Sequence, residues 1–223
     1  MFDTTIREFA DRSAEPHVVG FLHLPGTSND DGLILTHGAG GNAQAPLLRA
    51  LADNFAGAGY TVLRCNLPFR QLRPFGPPAP GDATRDRAGL RNAVAALRNA
   101  GSLRLFLAGH SYGGRQSSML CAEETELVSG LLLLSYPLHP PRRPGQQRIQ
   151  HLPDLRTPTL FVHGTRDPFG TIEELKGAIK MIPAKTGLLT IEGAGHDLGF
   201  KGKAKKESLP DQILSEFTNF TAY

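Results

Sequence analysis

The chain has 223 residues, of which 40% are hydrophobic and 20% are charged, and its formal net charge is +3 at pH 7. That length fits a single α/β domain with a sizeable core, and we expect residues 1–223 to form one domain. So small a net charge is explained by a solvated surface rather than by nucleic-acid binding, and no stretch approaches the roughly 18 apolar residues that a membrane helix needs. We therefore expect neither a nucleic-acid partner nor a membrane anchor.

The N-terminal stretch and the cysteines indicate a cytoplasmic protein. The stretch MFDTTIREFADRSAEP carries acidic residues and no apolar segment, so we do not expect a signal peptide. Cys65 and Cys121 are the two cysteines, and neither has the spacing of a metal or redox motif. We expect both to be reduced, and we expect no cofactor. Nothing in the sequence indicates an oligomeric state.

Apolar runs of strand length recur along the chain. The middle runs are continuously apolar rather than alternating, which is typical of strands that are covered on both faces. The predicted strands are 18–24, 32–36, 60–66, 103–108, 130–135, 158–163 and 187–192.

Segments with helical spacing lie between most of these strands. In the first of them, Leu47, Leu48, Leu51 and Phe55 recur at helical intervals. The predicted helices are 43–58, 82–100, 112–124, 172–182 and 208–220. Alternation of strands and helices predicts an α/β fold, with a mostly parallel central sheet and helices on both of its faces.

Two proline-rich loops interrupt this alternation. Residues 67–81 and 137–157 contain five prolines each, and both segments follow a predicted strand. Both should therefore lie at the carboxyl ends of the strands, where α/β sheets bind ligands. We interpret them as the rim of an active site.

The stretch FLAGHSYGGRQSS at 106–118 contains the pattern G-x-S-x-G around Ser111. A predicted strand precedes the serine and a predicted helix follows it. A serine at such a corner needs small neighbours, because the turn is too tight for a Cβ on either side. Its hydroxyl is a poor nucleophile until a base accepts the proton and an acid orients that base.

Two later strands end at candidate partners for this serine. Asp167 follows an apolar strand in TPTLFVHGTRDPFG, and His196 lies in a glycine-flanked turn of LLTIEGAGHDLGF. Each of these features alone has a simpler interpretation, the Asp as a turn or capping residue and the His as an exposed side chain. Together, in this order after strands, they predict a triad in which His196 is the base and Asp167 orients it. Asp197 is a poor alternative to Asp167, because it is the direct neighbour of His196.

The stretch THGAGGN at 36–42 predicts an oxyanion hole. Acyl transfer places negative charge on a carbonyl oxygen, and glycines allow backbone N–H groups to approach it closely. We expect the backbone N–H groups of Ala39 and Tyr112 to be the donors. The alternative is a tight turn without a ligand, whereas a phosphate-binding loop would need a pattern that the chain lacks. His37 is interpreted as a hydrogen-bonding scaffold, and His110 as pointing away from Ser111. No cluster has metal-ligand spacing, so we expect no metal.

These segments resemble the α/β-hydrolase superfamily and, more narrowly, its small dienelactone-hydrolase-like members. The segments HGAGG, GHSYGG, SYPLHPP, HGTRDPFG and GAGHDL carry the resemblance, which spans roughly residues 15–220. The combination is similar to the bacterial group related to testis-expressed protein 30 and the KANSL3-like proteins. The resemblance implies an eight-stranded sheet, a Ser–Asp–His triad and metal-free ester or thioester chemistry. Dienelactone hydrolases use a cysteine nucleophile, so Ser111 departs from them and their lactone specificity is not carried over.

Three functions stay open at this point. The first is a serine hydrolase that cleaves a small-molecule ester, or a thioester, through an acyl-enzyme intermediate. The second is a non-catalytic interaction module on the same fold, and the third is an acyltransferase that uses the same triad. The complete triad favours an enzyme.

The segment 137–157 is too short and too interrupted by prolines to form a cap domain, so we expect an open mouth. Five of the arginines in the two proline-rich loops are candidates for a charged rim, whereas Asp154 is the only acidic residue of these loops. The five are Arg70, Arg73, Arg142, Arg143 and Arg148. Positive potential at the mouth favours anionic substrates, with Arg142 and Arg143 as candidate binding residues. The alternative is that these arginines only keep the loops soluble.

Overall fold

A computed structural model describes residues 4–200 and 208–222; the lysine-rich run 201–206, interpreted from sequence as a solvated loop, lies outside them. Eight strands form one sheet. They are β1 (Thr5–Asp11), β2 (Val18–Leu24), β3 (Asp31–Thr36), β4 (Thr61–Asn66), β5 (Arg104–His110), β6 (Gly130–Leu134), β7 (Thr159–Gly164) and β8 (Thr186–Ile191). Their order across the sheet is β1-β2-β4-β3-β5-β6-β7-β8. β1 and β2 pair antiparallel, as do β2 and β4, and all other pairs are parallel.

Six helices connect and cover the strands in the described part of the chain. They are α1 (Pro46–Gly57), α2 (Pro68–Leu72), α3 (Asp82–Asn99), α4 (Tyr112–Glu123), α5 (Ile172–Ile179) and α6 (Leu209–Thr221). A short 3-10 turn, Leu152–Asp154, lies in the second proline-rich loop. That loop contains no longer helix, so nothing in it forms a cap over the sheet.

Helices cover both faces of the sheet, as predicted. Successive residues of β3 point to opposite faces, so Ile34 joins one core while Leu33 and Leu35 join the other. Helices α3, α4 and α5 pack on the Ile34 face, and α1 and α6 pack on the opposite face. This double burial explains why the middle strands are apolar without alternation.

The sequence prediction missed helix α2 and, at the edge of the sheet, strand β1. Its sequence, TIREFAD, is mostly exposed, and in this sheet the strand pairs with β2 alone. An edge strand without a buried face lacks the apolar signal on which strand prediction depends. The other strands agree with the prediction to within two residues. The sequence predicts the first helix from residue 43, but α1 begins at Pro46. The residues before it form a turn that is closed by a hydrogen bond from the Ala45 N–H to the Asn42 carbonyl (3.1 Å).

Both cysteines are buried and neither forms a disulfide. Burial raises the pKa of both thiols to about 12, which keeps them protonated and unreactive at neutral pH. No helix of the described residues has the length and apolarity needed to cross a bilayer.

Candidate active site

Ser111 lies at a sharp corner between β5 and α4. Its backbone has φ 52° and ψ −116°, a strained conformation for a residue that carries a side chain. A Cβ on Gly109 would come within 2.4 Å of the Gly114 nitrogen, and one on Gly113 within 2.5 Å of the His37 carbonyl oxygen. No side chain fits at either position, which is the physical reason for glycines on both sides of the serine.

Ser111, His196 and Asp167 form one hydrogen-bonded chain. The Ser111 Oγ is 2.7 Å from His196 Nε2, and His196 Nδ1 is 2.8 Å and 3.0 Å from the two carboxylate oxygens of Asp167. Because Nδ1–H donates to the carboxylate, Nε2 is left to accept the serine proton. The Asp167 side chain is fully buried, whereas 22% of the His196 side chain is exposed. The three residues predicted as a triad are therefore brought together.

The residues around Asp167 fix its orientation. The Phe169 N–H donates to Asp167 Oδ1 at 2.9 Å, and the Phe169 ring stacks on the His196 imidazole at 4.1 Å between centroids. His163 lies 3.8 Å from the carboxylate but donates to the Gly170 carbonyl at 2.9 Å. Burial lowers the pKa of His163, so its ring is neutral and adds no competing charge. The Asp167 carboxylate and the His196 ring are therefore each held by a contact with Phe169.

Asp197, the rejected alternative, is engaged in its own turn. Its Oδ1 accepts the Gly199 N–H at 3.0 Å. The carboxylate that reaches the imidazole Nδ1 is that of Asp167.

His110 holds the turn that carries His196, a contact that the sequence gave no sign of. Its Nε2–H donates to the His196 carbonyl oxygen at 2.7 Å, and the two rings are 5.2 Å apart. In the G-x-S-x-G pattern this position accepts any residue, so the motif contains no signal for the contact.

The loop at 37–42 is held by two hydrogen bonds to one carbonyl. His37 Nδ1–H donates to the Gly38 carbonyl at 2.8 Å, and the Gly41 N–H donates to the same oxygen at 3.0 Å. The Gly38 carbonyl and the Ala39 N–H belong to one planar trans peptide and point in opposite directions. Fixing the carbonyl therefore also fixes the direction of the N–H. No residue of the described ranges accepts a hydrogen bond from the Ala39 N–H.

His37 is held in one tautomer and remains neutral. Its Nε2 accepts the Leu67 N–H at 3.1 Å, which leaves Nδ1 as the donor. Burial lowers the pKa of His37 to about 4. These contacts fit the scaffold interpretation made from the sequence.

The second predicted donor, the Tyr112 N–H, belongs to the first residue of α4. N–H groups in the first turn of a helix have no partner within the helix. The loop is close to the serine, since a Cβ on Gly38 would come within 3.3 Å of Ser111 Cβ. The 37–42 loop and the first turn of α4 therefore meet at the serine.

A buried carboxylate, Asp86, supports Tyr112 from behind. The Tyr112 hydroxyl donates to Asp86 Oδ2 at 2.7 Å, and the Phe69 N–H donates to Asp86 Oδ1 at 2.9 Å. Burial raises the pKa of Asp86. The contact joins α3, α2 and the first residue of α4, and sequence reasoning did not find it.

Arg70 ties the 37–42 loop to the first proline-rich loop. Its guanidinium is buried and donates to the carbonyls of Ala39 (2.7 Å) and Gly41 (2.8 Å). It also donates to the carbonyls of Gly76 (2.9 Å) and Arg73 (3.1 Å). Arg70 is therefore a structural clamp, not part of a charged rim.

Fewer than five arginines form the positive rim that the sequence predicts. Arg70 is used as described, Arg73 pairs with Asp82, and Arg148 donates to the Pro137 carbonyl at 3.2 Å. Arg142 and Arg143 are exposed on the loop that follows β6. Of the five arginines, these two are the ones open to solvent at the rim.

A cleft of about 400 Å³ lies at the opposite edge of the sheet, where β3 and β5 begin. Its charged groups, Asp31 and Arg104, satisfy each other in a bidentate pair at 2.8 Å and 2.7 Å. The groups with chemistry to offer lie at the carboxyl edge. Within residues 4–200 and 208–222, no group of three or more His, Cys, Asp and Glu side chains is arranged to hold a metal ion.

The comparisons with known proteins agree with this architecture. A family model described as an alpha/beta hydrolase domain matches residues 29–222. Dienelactone hydrolase from Anabaena variabilis is 19% identical with a TM-score of 0.75, covering 98% of this chain and 97% of that one. A putative dienelactone hydrolase from Klebsiella pneumoniae is 16% identical with a TM-score of 0.77, covering 99% of both chains.

A third solved structure is also similar. It is a member of the α/β serine hydrolases without a lid, from Xanthomonas campestris. It is 16% identical with a TM-score of 0.74, and the match covers 97% of both chains. At these identities the solved structures establish the shared fold. The family match spans most of the chain, and the chain therefore belongs to the α/β hydrolase domain family.

Proposed function

We propose that this α/β hydrolase is a serine hydrolase that cleaves a small-molecule ester through an acyl-enzyme. The observation that carries the proposal is the chain Ser111–His196–Asp167, with 2.7 Å between the serine oxygen and the imidazole. A hydroxyl bonded to the free nitrogen of an oriented imidazole is the arrangement of an activated nucleophile. The predicted roles of the three residues are retained here as part of the proposal.

The proposed reaction has two halves. His196 Nε2 accepts the proton of Ser111 while Oγ attacks the ester carbonyl carbon. The oxygen that becomes negative accepts hydrogen bonds from the Ala39 and Tyr112 N–H groups. Collapse breaks the bond to the alkoxide, which leaves with the proton from His196. Water then attacks the acyl-enzyme, again with His196 as base, and releases the acid.

Asp167 remains ionised through this cycle. It stabilises the imidazolium that forms at each proton transfer and keeps Nδ1 as the protonated nitrogen. Because Asp167 is buried and receives a backbone N–H, it is pre-oriented before substrate arrives.

An acyltransferase would use the same groups with an alcohol or amine in place of water. The described 137–157 loop contains no helix long enough to form a cap, so the proposed site is open to solvent. Water then reaches the acyl-enzyme, and no enclosed site holds another acceptor in its place, which favours hydrolysis. Thioesters would follow the same route with a thiolate as the leaving group. A non-catalytic module is disfavoured, because nothing would require a strained serine at φ 52° within hydrogen-bond distance of a histidine.

One experiment tests the proposal directly. The protein is treated with a fluorophosphonate probe and assayed with p-nitrophenyl esters of increasing chain length, with thioesters and amides alongside. We expect labelling at Ser111, and we expect Ser111→Ala to remain folded but to lose about 10⁴-fold or more of the ester activity. Half of the wild-type activity in Ser111→Ala, or no labelling together with no hydrolysis, would reject the proposal.

At the mouth, we retain Arg142 and Arg143 as residues that attract anionic substrates. Both are exposed, so their effect is one of steering and is screened by salt. We expect the double variant Arg142→Ala/Arg143→Ala to lower kcat/KM for an anionic ester at low salt and to match the wild type at high salt. Equal values at both salt concentrations would leave these arginines with a role in solubility alone.

A further inference from the structure

A polar cluster lies between α4 and the 137–157 loop, one helical turn beyond the nucleophile. It consists of Arg115, Tyr136, Arg148 and His151, and we call it the Arg115 cluster. The Arg115 N–H donates to the Ser111 carbonyl at 2.9 Å, so Arg115 lies in α4 one turn after Ser111. Four residues of helix correspond to a rise of about 6 Å.

The members of the cluster are joined across helix and loop. The Tyr136 hydroxyl lies against Arg115 and donates to the Arg148 carbonyl at 2.7 Å. The His151 ring bonds the Ser118 hydroxyl of α4 at 2.8 Å. The loop that rims the proposed site therefore packs on the flank of the helix that carries Ser111.

Arg115 has no carboxylate partner. Its Nε is buried and, within the described part of the chain, has no hydrogen-bond acceptor. No ion pair among the described residues includes Arg115 or Arg148, although Arg87 nearby pairs with Glu123. The acid that faces His151 is Asp154, which is exposed on the loop surface.

Apart from Asp154, the charges that face the cluster are positive. Burial and the neighbouring Arg115 lower the pKa of Arg148. Burial lowers the pKa of His151 to about 4, and Arg115 and Arg87 act in the same direction. Two guanidiniums therefore share a half-buried region with a neutral imidazole.

Leaving a guanidinium N–H unpaired in such a region is costly, and the cost disappears when an anion enters. The fork of an arginine matches a carboxylate with two parallel hydrogen bonds, which a lysine does not reproduce. The Tyr136 hydroxyl and the neutral His151 bring no negative charge that would compete with such an anion.

We propose that Arg115 binds a carboxylate at the far end of the acyl group, so that half-esters of dicarboxylic acids are preferred substrates. This inference rests on the proposed function of Ser111 and adds the substrate class. With the ester carbonyl at Ser111 and Arg115 one helical turn along α4, an acyl chain of a few carbons would span from one residue to the other.

The test compares two esters that differ in one charge, 4-nitrophenyl hydrogen glutarate and 4-nitrophenyl methyl glutarate. We expect the wild type to favour the charged ester in kcat/KM by about 10- to 100-fold, the range of a charge-assisted hydrogen bond. At high salt, where steering by Arg142 and Arg143 is screened, the preference in Arg115→Met should fall to about one, and Arg115→Lys should retain part of it. Arg156→Met, an exposed arginine of the same loop, should retain all of it.

Binding of glutarate itself gives a second readout that needs no turnover. By calorimetry, glutarate should bind Ser111→Ala but not Ser111→Ala/Arg115→Met, with circular dichroism to confirm that both are folded. A wild-type preference of one, an unchanged preference in Arg115→Met, or equal glutarate binding by both proteins would overturn the inference. If Ser111 fails to react with the fluorophosphonate and neither ester is cleaved, the proposed function fails, and glutarate binding still decides the role of Arg115.

Discussion

At Asp167, one buried carboxylate orients an imidazole and closes its own turn by accepting the Phe169 N–H. Asn in its place would keep the shape but offer an N–H to His196 Nδ1 and favour the wrong tautomer. We expect Asp167→Asn to lower kcat for ester hydrolysis by about 10⁴-fold. Asp197→Asn, which alters the neighbouring turn only, is the matched control and should change kcat less than tenfold. Comparable losses in the two variants would contradict the assignment of the acid.

Arg70 offers a second residue-level prediction, because it fixes the peptide groups that follow the Ala39 N–H. We expect Arg70→Met to lower kcat by tenfold or more with little change in KM, since the Ala39 N–H is proposed as an oxyanion donor and such a donor is used mainly in the transition state. Arg70→Lys should recover little, because a single ammonium cannot reach four carbonyls. Steady-state kinetics provide the measurement, with the exposed Arg85→Met as control. A rise in KM at constant kcat would show that Arg70 acts on substrate binding instead.

The sequence reveals a functional residue when the residues next to it in the chain mark its role. Ser111 lies in a short motif, and Asp167 and His196 directly follow apolar strands, so neighbouring residues identify all three. His110, Asp86 and Arg70 act on partners 86, 26 and 31 positions away. Those contacts arise only when separate loops pack together, and no spacing in the chain encodes them.

At the scale of elements, the corner between β5 and α4 should tolerate no added methyl group. A Cβ on Gly113 would lie 2.5 Å from a backbone oxygen and 2.7 Å from Thr36 Cγ2, so either the corner or the loop must move. We expect Gly113→Ala to lower the free energy of unfolding by about 1–3 kcal/mol or more. Gly177→Ala in α5 meets nothing within 4 Å and should stabilise the protein by about 0.5–1 kcal/mol. Urea denaturation of both variants measures the difference, and a neutral Gly113→Ala would refute the packing argument.

The elements that the sequence predicted well are those buried on both faces. β3 and β5 to β7 are continuously apolar because helices cover them on two sides, and that signal needs no knowledge of the neighbours. β1 is held by backbone hydrogen bonds to β2 rather than by an apolar face, so its composition looks like that of a loop. Helix α2 is short and begins at Pro68, in a segment whose prolines predicted irregular structure.

At the scale of the whole molecule, buried histidines set a pH dependence of stability. Burial lowers the pKa of His23, His37 and His151 to about 4, below the value of 6.5 for an exposed histidine. The unfolded chain therefore binds more protons than the folded protein between pH 6.5 and 4, and stability falls as the pH falls through that interval. Above pH 6.5 the contribution of these groups is complete.

We expect the urea midpoint to drop between pH 7.5 and pH 5 by more than the carboxylates alone would cause. His151→Gln, which can retain a hydrogen bond to Ser118, should show a smaller drop than the wild type. A midpoint that stays constant or rises toward pH 5 would contradict the direction given for these pKa values.

The order of the strands has a consequence for how the chain can be divided. The first four strands form one half of the sheet and the last four form the other, and the two halves meet where β3 pairs with β5. Gly101 lies between them in sequence, exposed, with φ 103° and nothing within 4 Å of its Cβ direction. A break at Gly101 leaves Ala39 and Arg70 in one fragment. The other fragment then contains Ser111, Asp167 and His196, so neither fragment holds every group of the proposed site. Co-expressed fragments 1–101 and 102–223 should hydrolyse esters only when they reassemble, and fusing each to one of two interacting proteins would turn the enzyme into a reporter of that interaction.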